Sequence, residues 1–523
     1  MLHTLSKFLR AIDHRSSKIL SMSIWIIVFI VFIILLRYPS FILEPRFWGE
    51  ERLYFETFHH LSNWWEGFDT LQYPAYYNFL SRFGGFLASL VGLSYAPLAS
   101  TLFGLFILIS PLLIIFFTES KYWDNLEKKI VLSLFLVFSC STGEIWLNST
   151  NPHFIFPVIT FLILLDENLK SFAKRLVYNF CILIGVISGP FSLLMSPFFL
   201  FRYLRYRERP ILIYCMIFLI FGLLHILFFY VSYSSGVGNM NRLGEGDISG
   251  SLSIVDRVTF IFQFNVIFPL FGYFASLVFR LFMNLVNAGI DSSYYSIIIE
   301  TLPTNLESYF AKGFSVMGKV SSLINFLVFG SFGYLFYKLY HIANLDEKIN
   351  FLSLFLYLSI VISLLSIGGH GGFRYSYITS FILLFFIYQR FLSSPNVLLP
   401  GKKIAKFVVI FSVSVGVLEY FPRVLSSSPE VITQQKDKID WPVWTEELAT
   451  WQINSEHDPA VWPYLKNRDI LWPDRSAIYT LSLNSTSDWD KRGNQKFSTN
   501  LKKFLKKDSL SKELIIPEGE EQK

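Results

Sequence analysis

Residues 96–117 read APLASTLFGLFILISPLLIIFF, 22 positions without one charged side chain. At about 1.5 Å per residue, roughly 20 such residues cross the hydrocarbon of a bilayer. This run predicts a membrane helix, and the rest of the chain repeats the pattern. Upstream lies Ile19 to Leu36. Downstream come Ile130 to Cys140, Phe154 to Leu165, Leu176 to Phe201 and Ile211 to Val231, then Phe260 to Phe279, Ser322 to Phe336, Phe351 to Ile367, Ile378 to Phe391 and Phe407 to Tyr420. Ile130 to Cys140 and Phe154 to Leu165 are short for a crossing. They suffice only if the polar stretch between them lies at membrane depth under a cover of protein or beside a water-filled cavity.

The composition agrees. Of 523 residues 53% are hydrophobic and 16% charged, with 56 Phe, 27 Tyr and 12 Trp, where a soluble domain carries about 25% charged residues. A mean hydropathy of +0.45 excludes a disordered scaffold, a disulfide-stapled secreted domain and a plain cytosolic enzyme. The three cysteines, Cys140, Cys181 and Cys215, each sit in an apolar run and suggest neither a disulfide framework nor a thiolate metal site. The net charge of +6 fits basic membrane loops and points to no nucleic-acid partner.

Lysine and arginine positions set the expected sidedness. Lys7, Arg10, Arg15 and Lys18 precede the first apolar run, which lacks a small-residue cleavage site, so it reads as a retained helix with a cytoplasmic N-terminus. Basic residues also collect at Lys121, Lys128 and Lys129; at Lys170, Lys174 and Arg175; at Arg202, Arg205, Arg207 and Arg209; and at Arg390, Lys402, Lys403 and Lys406. The positive-inside rule puts those loops in the cytoplasm. The segments facing outward are then 37–77, Gly143 to His153, a turn at Ser188-Gly189-Pro190, Ser232 to Arg257, and Gly368 to Tyr375. Parity makes Leu176 to Phe201 a hairpin of two short helices broken at Gly189-Pro190. Phe260 to Lys319, interrupted by Arg280, Asp291, Glu300 and Glu307, reads either as one crossing with an outer loop or as three shorter crossings.

The expected fold is thus an all-α integral membrane protein, a polytopic helical bundle of about ten to twelve membrane helices. It occupies residues 1–422. Residues 423–523 form a polar tail, extracytoplasmic if Phe407 to Tyr420 crosses outward, with Trp441, Trp444, Trp451, Trp462, Trp472 and Trp489 exposed to a soluble context.

Three outward clusters carry chemistry. The first loop holds Phe47-Trp48-Gly49-Glu50-Glu51, then Tyr54, Glu56, His59, His60, Trp64, Trp65, Glu66 and Asp69. A partly buried carboxylate there can act as a general base; the same residues also suit a solvated acidic loop with an aromatic belt. In Gly143-Glu144-Ile145-Trp146-Leu147-Asn148-Ser149-Thr150-Asn151-Pro152-His153, Gly143 can end one helix while Asn151 and Pro152 begin another. Glu144, Asn148 and His153 are left to bind a polar ligand or to brace two short helices. In Gly371-Gly372-Phe373-Arg374-Tyr375 an arginine stands before a membrane helix, where it can bind phosphate or reach the interface. Asn148-Ser149-Thr150 and Asn484-Ser485-Thr486 match the weak glycosylation sequon.

These motifs, together with Ser188-Gly189-Pro190-Phe191-Ser192, Asp440-Trp441-Pro442-Val443-Trp444 and Val461-Trp462-Pro463, give the chain a resemblance to bacterial multi-pass proteins similar to the GT-C superfamily of membrane glycosyltransferases. The resemblance implies a GT-C-like transferase of the bacterial inner membrane, working in cell-envelope glycan assembly. Its donor would be a polyprenyl-phosphate-linked sugar, its acceptor a glycan or lipid, with an acidic residue of the first outer loop near the reaction centre. That superfamily's acidic pair often contains Asp; here it is Glu50-Glu51, and either carboxylate could act. On this reading Glu50 or Glu51 takes the proton of an acceptor hydroxyl and Arg374, with Tyr375 beside it, binds the departing phosphate. Glu144, Asn148, Asn151 and His153 orient sugar hydroxyls. The carboxylates leave room for a divalent metal, though no ligand spacing argues for one. Two rivals are a polymerase or ligase of lipid-linked glycans, and a transporter or flippase without transferase activity.

Overall fold

The computed structural model describes residues 17–37, 39–43, 45–48, 50–61, 63–70, 76–138, 146–234, 345–365, 376–392, 444–454 and 498–500, with short pieces at 261, 265–266, 341, 406, 408–410, 412–414, 416–417 and 459. Among them 82% is helix and there is no strand. Of the expected crossings, Ser322 to Phe336 lies outside the described residues, Phe260 to Phe279 does so except at 261, 265 and 266, and Phe407 to Tyr420 is described only at 408–410, 412–414 and 416–417.

The quoted stretch is helix α6, Ala96–Phe117. Before it come α1 (Ser17–Arg37), α2 (Ser40–Leu43), α3 (Glu51–His60), α4 (Trp64–Asp69) and α5 (Phe79–Ser89). After it come α7 (Leu126–Phe138), α8 (Pro152–Leu165), α9 (Phe172–Ile187), α10 (Pro190–Leu193), α11 (Ser196–Tyr206) and α12 (Arg209–Ser234). A wide helical turn at Lys348–Ser353 leads into α13 (Leu354–Leu365), followed by α14 (Tyr377–Ile387) and, in the tail, α15 (Trp444–Ile453). Among the described residues two helices, Ala96–Phe117 and Arg209–Ser232, are long and apolar enough to cross a membrane; the pair Phe172–Ile187 and Pro190–Tyr206 passes as one span bent by 118°. The bend falls at Gly189, whose φ of 150° is open to a residue without Cβ, and Pro190 starts the next helix.

Helices α8 and α14 are apolar all round and wholly buried, which makes them the centre of the bundle. Phe161 of α8 meets Phe381 and Phe385 of α14 edge-on, at 6.2 and 5.6 Å between ring centroids. Outer helices present apolar side chains instead: Leu102 and Phe106 on α6, Phe180 on α9, and Leu219, Leu223 and Ile226 on α12. Exposed apolar faces of that extent suit acyl chains better than water.

The two ends of the bundle differ. At one end charges pair: Lys129 Nζ donates to the Phe116 carbonyl at 2.8 Å, closing the C-terminus of α6. There the fully buried Asp166 accepts from Tyr178 and Lys174, and Arg205 meets Asp346 at 2.9 Å. At the other end the short helices stop at a buried polar segment, Trp146 to Asn151, tied to α1 by Trp146 Nε1 donating to the Ile34 carbonyl at 3.2 Å.

Beside that segment lie α3, α4 and α5, in and after the stretch expected as the first outer loop. Residues 37–77 contain three short helices with a buried side, and α5 extends the element to Ser89. Trp444 is also not exposed. It is buried against Phe47, Phe55 and Leu93, because α15 packs its indole into the apolar gap between α3 and the turn before α6. Its Nε1 donates to the Leu93 carbonyl at 3.2 Å, and Arg46 meets Glu447 at 3.7 Å, both buried. The tail thus contacts the first acidic segment directly.

Candidate functional site

The segment from Trp146 to Asn151 gets its shape from Asn148. Its Oδ1 accepts from the Thr150 and Asn151 N–H groups at 3.2 and 3.1 Å, closing an Asx turn ahead of α8. Leu147 is held at φ 51°, a left-handed conformation costing about 1–2 kcal/mol for a residue with Cβ. Two glycines make room for this turn. A Cβ at Gly104 would lie 2.7 Å from the Asn148 nitrogen and the Leu147 carbonyl carbon, and one at Gly84 would lie 2.5 Å from the Ser149 Cβ. Backbone therefore lies in a slot between α5 and α6 that no larger residue leaves open.

Glu51 closes the slot. Its Oε1 accepts from the Ser149 N–H at 2.6 Å and the Ser100 hydroxyl at 2.7 Å, and its Oε2 accepts from the Trp48 N–H at 2.7 Å. The Trp48 bond ties the first residue of α3 back to the segment that leads into the helix. Burial pushes the Glu51 carboxyl above the usual carboxylate range, while the Ser149 and Trp48 N–H groups and the Ser100 hydroxyl pull it back. The preceding Glu50 is half-buried and makes no capping bond to α3.

His153 is fixed from two sides. Asn78 Oδ1 accepts from the Ser81 N–H at 3.3 Å, so its amide nitrogen is turned to the Thr150 carbonyl at 3.3 Å and to His153 Nδ1 at 3.2 Å. This network suits a neutral imidazole with its proton on Nε2, donated to the Tyr76 oxygen at 3.2 Å. The ring stacks on Phe191 at 5.6 Å, and a Cβ at Gly189 would come within 2.9 Å of the His153 Cβ. The break between α9 and α10 thus borders the same layer. Tyr54, pushed up to about 12 by burial, stays protonated beside Ser81 and Asn78. Arg82 donates at 2.7 Å to the Gly67 carbonyl and to the Thr70 hydroxyl and carbonyl, so it secures the C-terminus of α4. The buried hydroxyls of Thr150, Ser188 and Ser192 have no hydrogen-bond partner among the described residues.

Glu51, Asn148, Asn151 and His153 therefore share one buried layer with Glu50 at its edge. Glu144, Arg374 and Tyr375 lie outside the described residues. The next helix, α14, begins beside the end of α7, with the Tyr377 hydroxyl donating to the Leu136 carbonyl at 3.1 Å. Among the described residues no three His, Cys, Asp or Glu side chains group as a metal would require. Asn78, Ser81, Ser100 and Tyr76 were not anticipated. The spacing Ser100-xxx-Gly104 carries the signal that would have found the slot, since small residues four apart let helices and backbone approach closely. Comparison with protein-family models, curated proteins and solved structures returns no match to this chain.

Proposed function

We propose that the chain is a membrane glycosyltransferase that moves a sugar from a polyprenyl phosphate to an acceptor hydroxyl at the polar-layer end of the bundle, on the extracytoplasmic face. The observation that supports this most is the pairing of a locked carboxylate with a neighbouring half-buried one. Glu51 is engaged at both oxygens by Trp48, Ser100 and Ser149, and so serves to hold the start of α3. Glu50, one residue earlier, takes the role of base. The acceptor oxygen attacks the anomeric carbon, its proton passes to Glu50, and the sugar–phosphate bond breaks with its electrons going to the phosphate. Arg374 would meet the departing charge. Asn78 and His153, already oriented by each other, line the layer where sugar hydroxyls would bind.

The test is transfer in membranes supplied with a panel of polyprenyl-phosphate hexoses. Glu50→Gln should lower transfer by about 100-fold or more while the protein stays folded. Arg374→Ala should lower it as well. Undiminished transfer in both variants would overturn the assignment, and uptake of a solute without sugar transfer would favour a transporter.

A further inference from the structure

Helix α5 is inverted relative to a helix facing water. Its polar side chains Ser81 and Arg82, together with Asn78 at its cap, are buried, and Ser89 at its last position is half-buried. The opposite side carries Phe79, Phe83, Phe86, Leu87 and Leu90, spaced for one face, and it is this side that is partly open. The rings form a continuous surface. Phe79 meets Phe83 at 5.8 Å, Phe83 meets Phe86 at 6.1 Å, and Phe86 meets Trp64 at 5.2 Å. Trp64 stacks on Trp65 at 3.7 Å, and Trp65 is 64% exposed.

This surface continues one on α6. Tyr95, Leu102, Phe106 and Phe117 follow at intervals that keep them on one face, and they are 68, 49, 59 and 45% exposed. The segment from Phe83 to Tyr95 contains no charge. Helix α6 is 22 residues long, about 33 Å, which matches a hydrocarbon thickness of about 30 Å. Helix α5 folds back along it, since a Cβ at Gly84 would lie 3.2 Å from Phe103. Phe103 is eight residues past Tyr95, or about 12 Å along the helix.

We infer that α5 and the adjoining Trp64-Trp65 pair are immersed in the leaflet at the N-terminal end of α6, aromatic face to the acyl chains and polar face to the buried layer. The first acidic segment is then a re-entrant roof with lipid on its outer side. The polar layer around Glu51 and Ser149 lies below the membrane surface and is separated from acyl chains by a single helix. The partner of this surface is lipid, and the inference stands whatever reaction the layer supports.

Nitroxide labels at Phe83, Leu87 and Leu90, in a full-length background with Cys140, Cys181 and Cys215 replaced by Ala, test this in phosphatidylcholine–phosphatidylglycerol liposomes. Power saturation should show oxygen accessibility exceeding that of a water-soluble nickel chelate at all three sites, as at a Phe106 reference, with the reverse at Lys121. Chelate accessibility at Phe83 and Leu90 equal to that at Lys121 would overturn the inference. Should labelling disturb the fold, the unmodified chain can be photolabelled by phospholipids carrying acyl-chain diazirines. Label is expected within residues 79–95. Label on α12 but none on 79–95 would also overturn it.

Discussion

The backbone N–H of Ser149 donates to Oε1 of Glu51 at 2.6 Å across 98 positions of sequence. With Ser100 and Trp48 on the same carboxylate, this joins the start of α3, the second turn of α6 and the turn before α8. A glutamine cannot reproduce it: its amide nitrogen would face a donor, either Ser149 or Trp48. Glu51→Gln should therefore lose about 2–4 kcal/mol of stability, the penalty for buried unpaired donors. Glu50→Gln should lose little. Thermal unfolding in detergent measures both, and equal midpoints for Glu51→Gln and wild type would refute the staple.

Space at Gly104 predicts a second effect. An added methyl meets backbone atoms of Leu147 and Asn148 at 2.7 to 2.8 Å, whereas at Gly92 it meets nothing within 4 Å. Gly104→Ala should destabilise by about 1–3 kcal/mol, the range for overpacking, and Gly92→Ala should be near neutral. Matched unfolding curves of the two variants separate the outcomes; a loss at Gly104 no larger than at Gly92 would contradict the slot, since helix propensity alone favours alanine over glycine at a helical position.

His59 supplies a pH dependence. Burial, with His60 beside it, holds the imidazole below its ordinary value. Just below the usual histidine pKa of about 6.5 the unfolded chain binds more protons than the folded one, so this contribution is present above that value and is lost as pH falls. Wild type should lose stability relative to His59→Asn as the pH drops from about 7.5 to about 5.5. A difference in midpoint that does not change with pH would contradict the sign.

The tail contact makes a further prediction. Trp444→Ala removes an indole from the gap lined by Phe47, Phe55 and Leu93, at a cost of about 3–5 kcal/mol. Glu447→Gln removes the carboxylate that meets Arg46 in a buried place and should cost about 3–5 kcal/mol, while Arg46→Met with Glu447→Met should recover most of the loss. A double-mutant cycle on unfolding, with protease sensitivity of the tail as second readout, decides this. Additive losses would show that the two charges do not interact.

Helix positions were largely legible from composition. The run 96–117 is α6 to the residue, and Gly189-Pro190 marks the bend between α9 and α10, because apolar length and proline act locally. The polar turn also stood out, since Asn148 and His153 interrupt apolar runs. The partners of those residues were not legible. Nothing near Glu51 in sequence indicates Ser100 or Ser149, and nothing near His153 indicates Asn78, 75 positions away.

The sequence by itself determined an apolar, all-helical chain, with helices of membrane character and polar residues collected where those helices stop. These properties follow from the cost of exposing apolar surface to water and of leaving backbone groups unpaired in lipid. Only the tertiary structure decided that the first acidic segment folds into short helices with a buried side and that Glu51 is a staple. It alone decided that α5 turns its phenylalanines outward. Those outcomes depend on how closely helices can approach, which Gly84 and Gly104 permit and which no local pattern records.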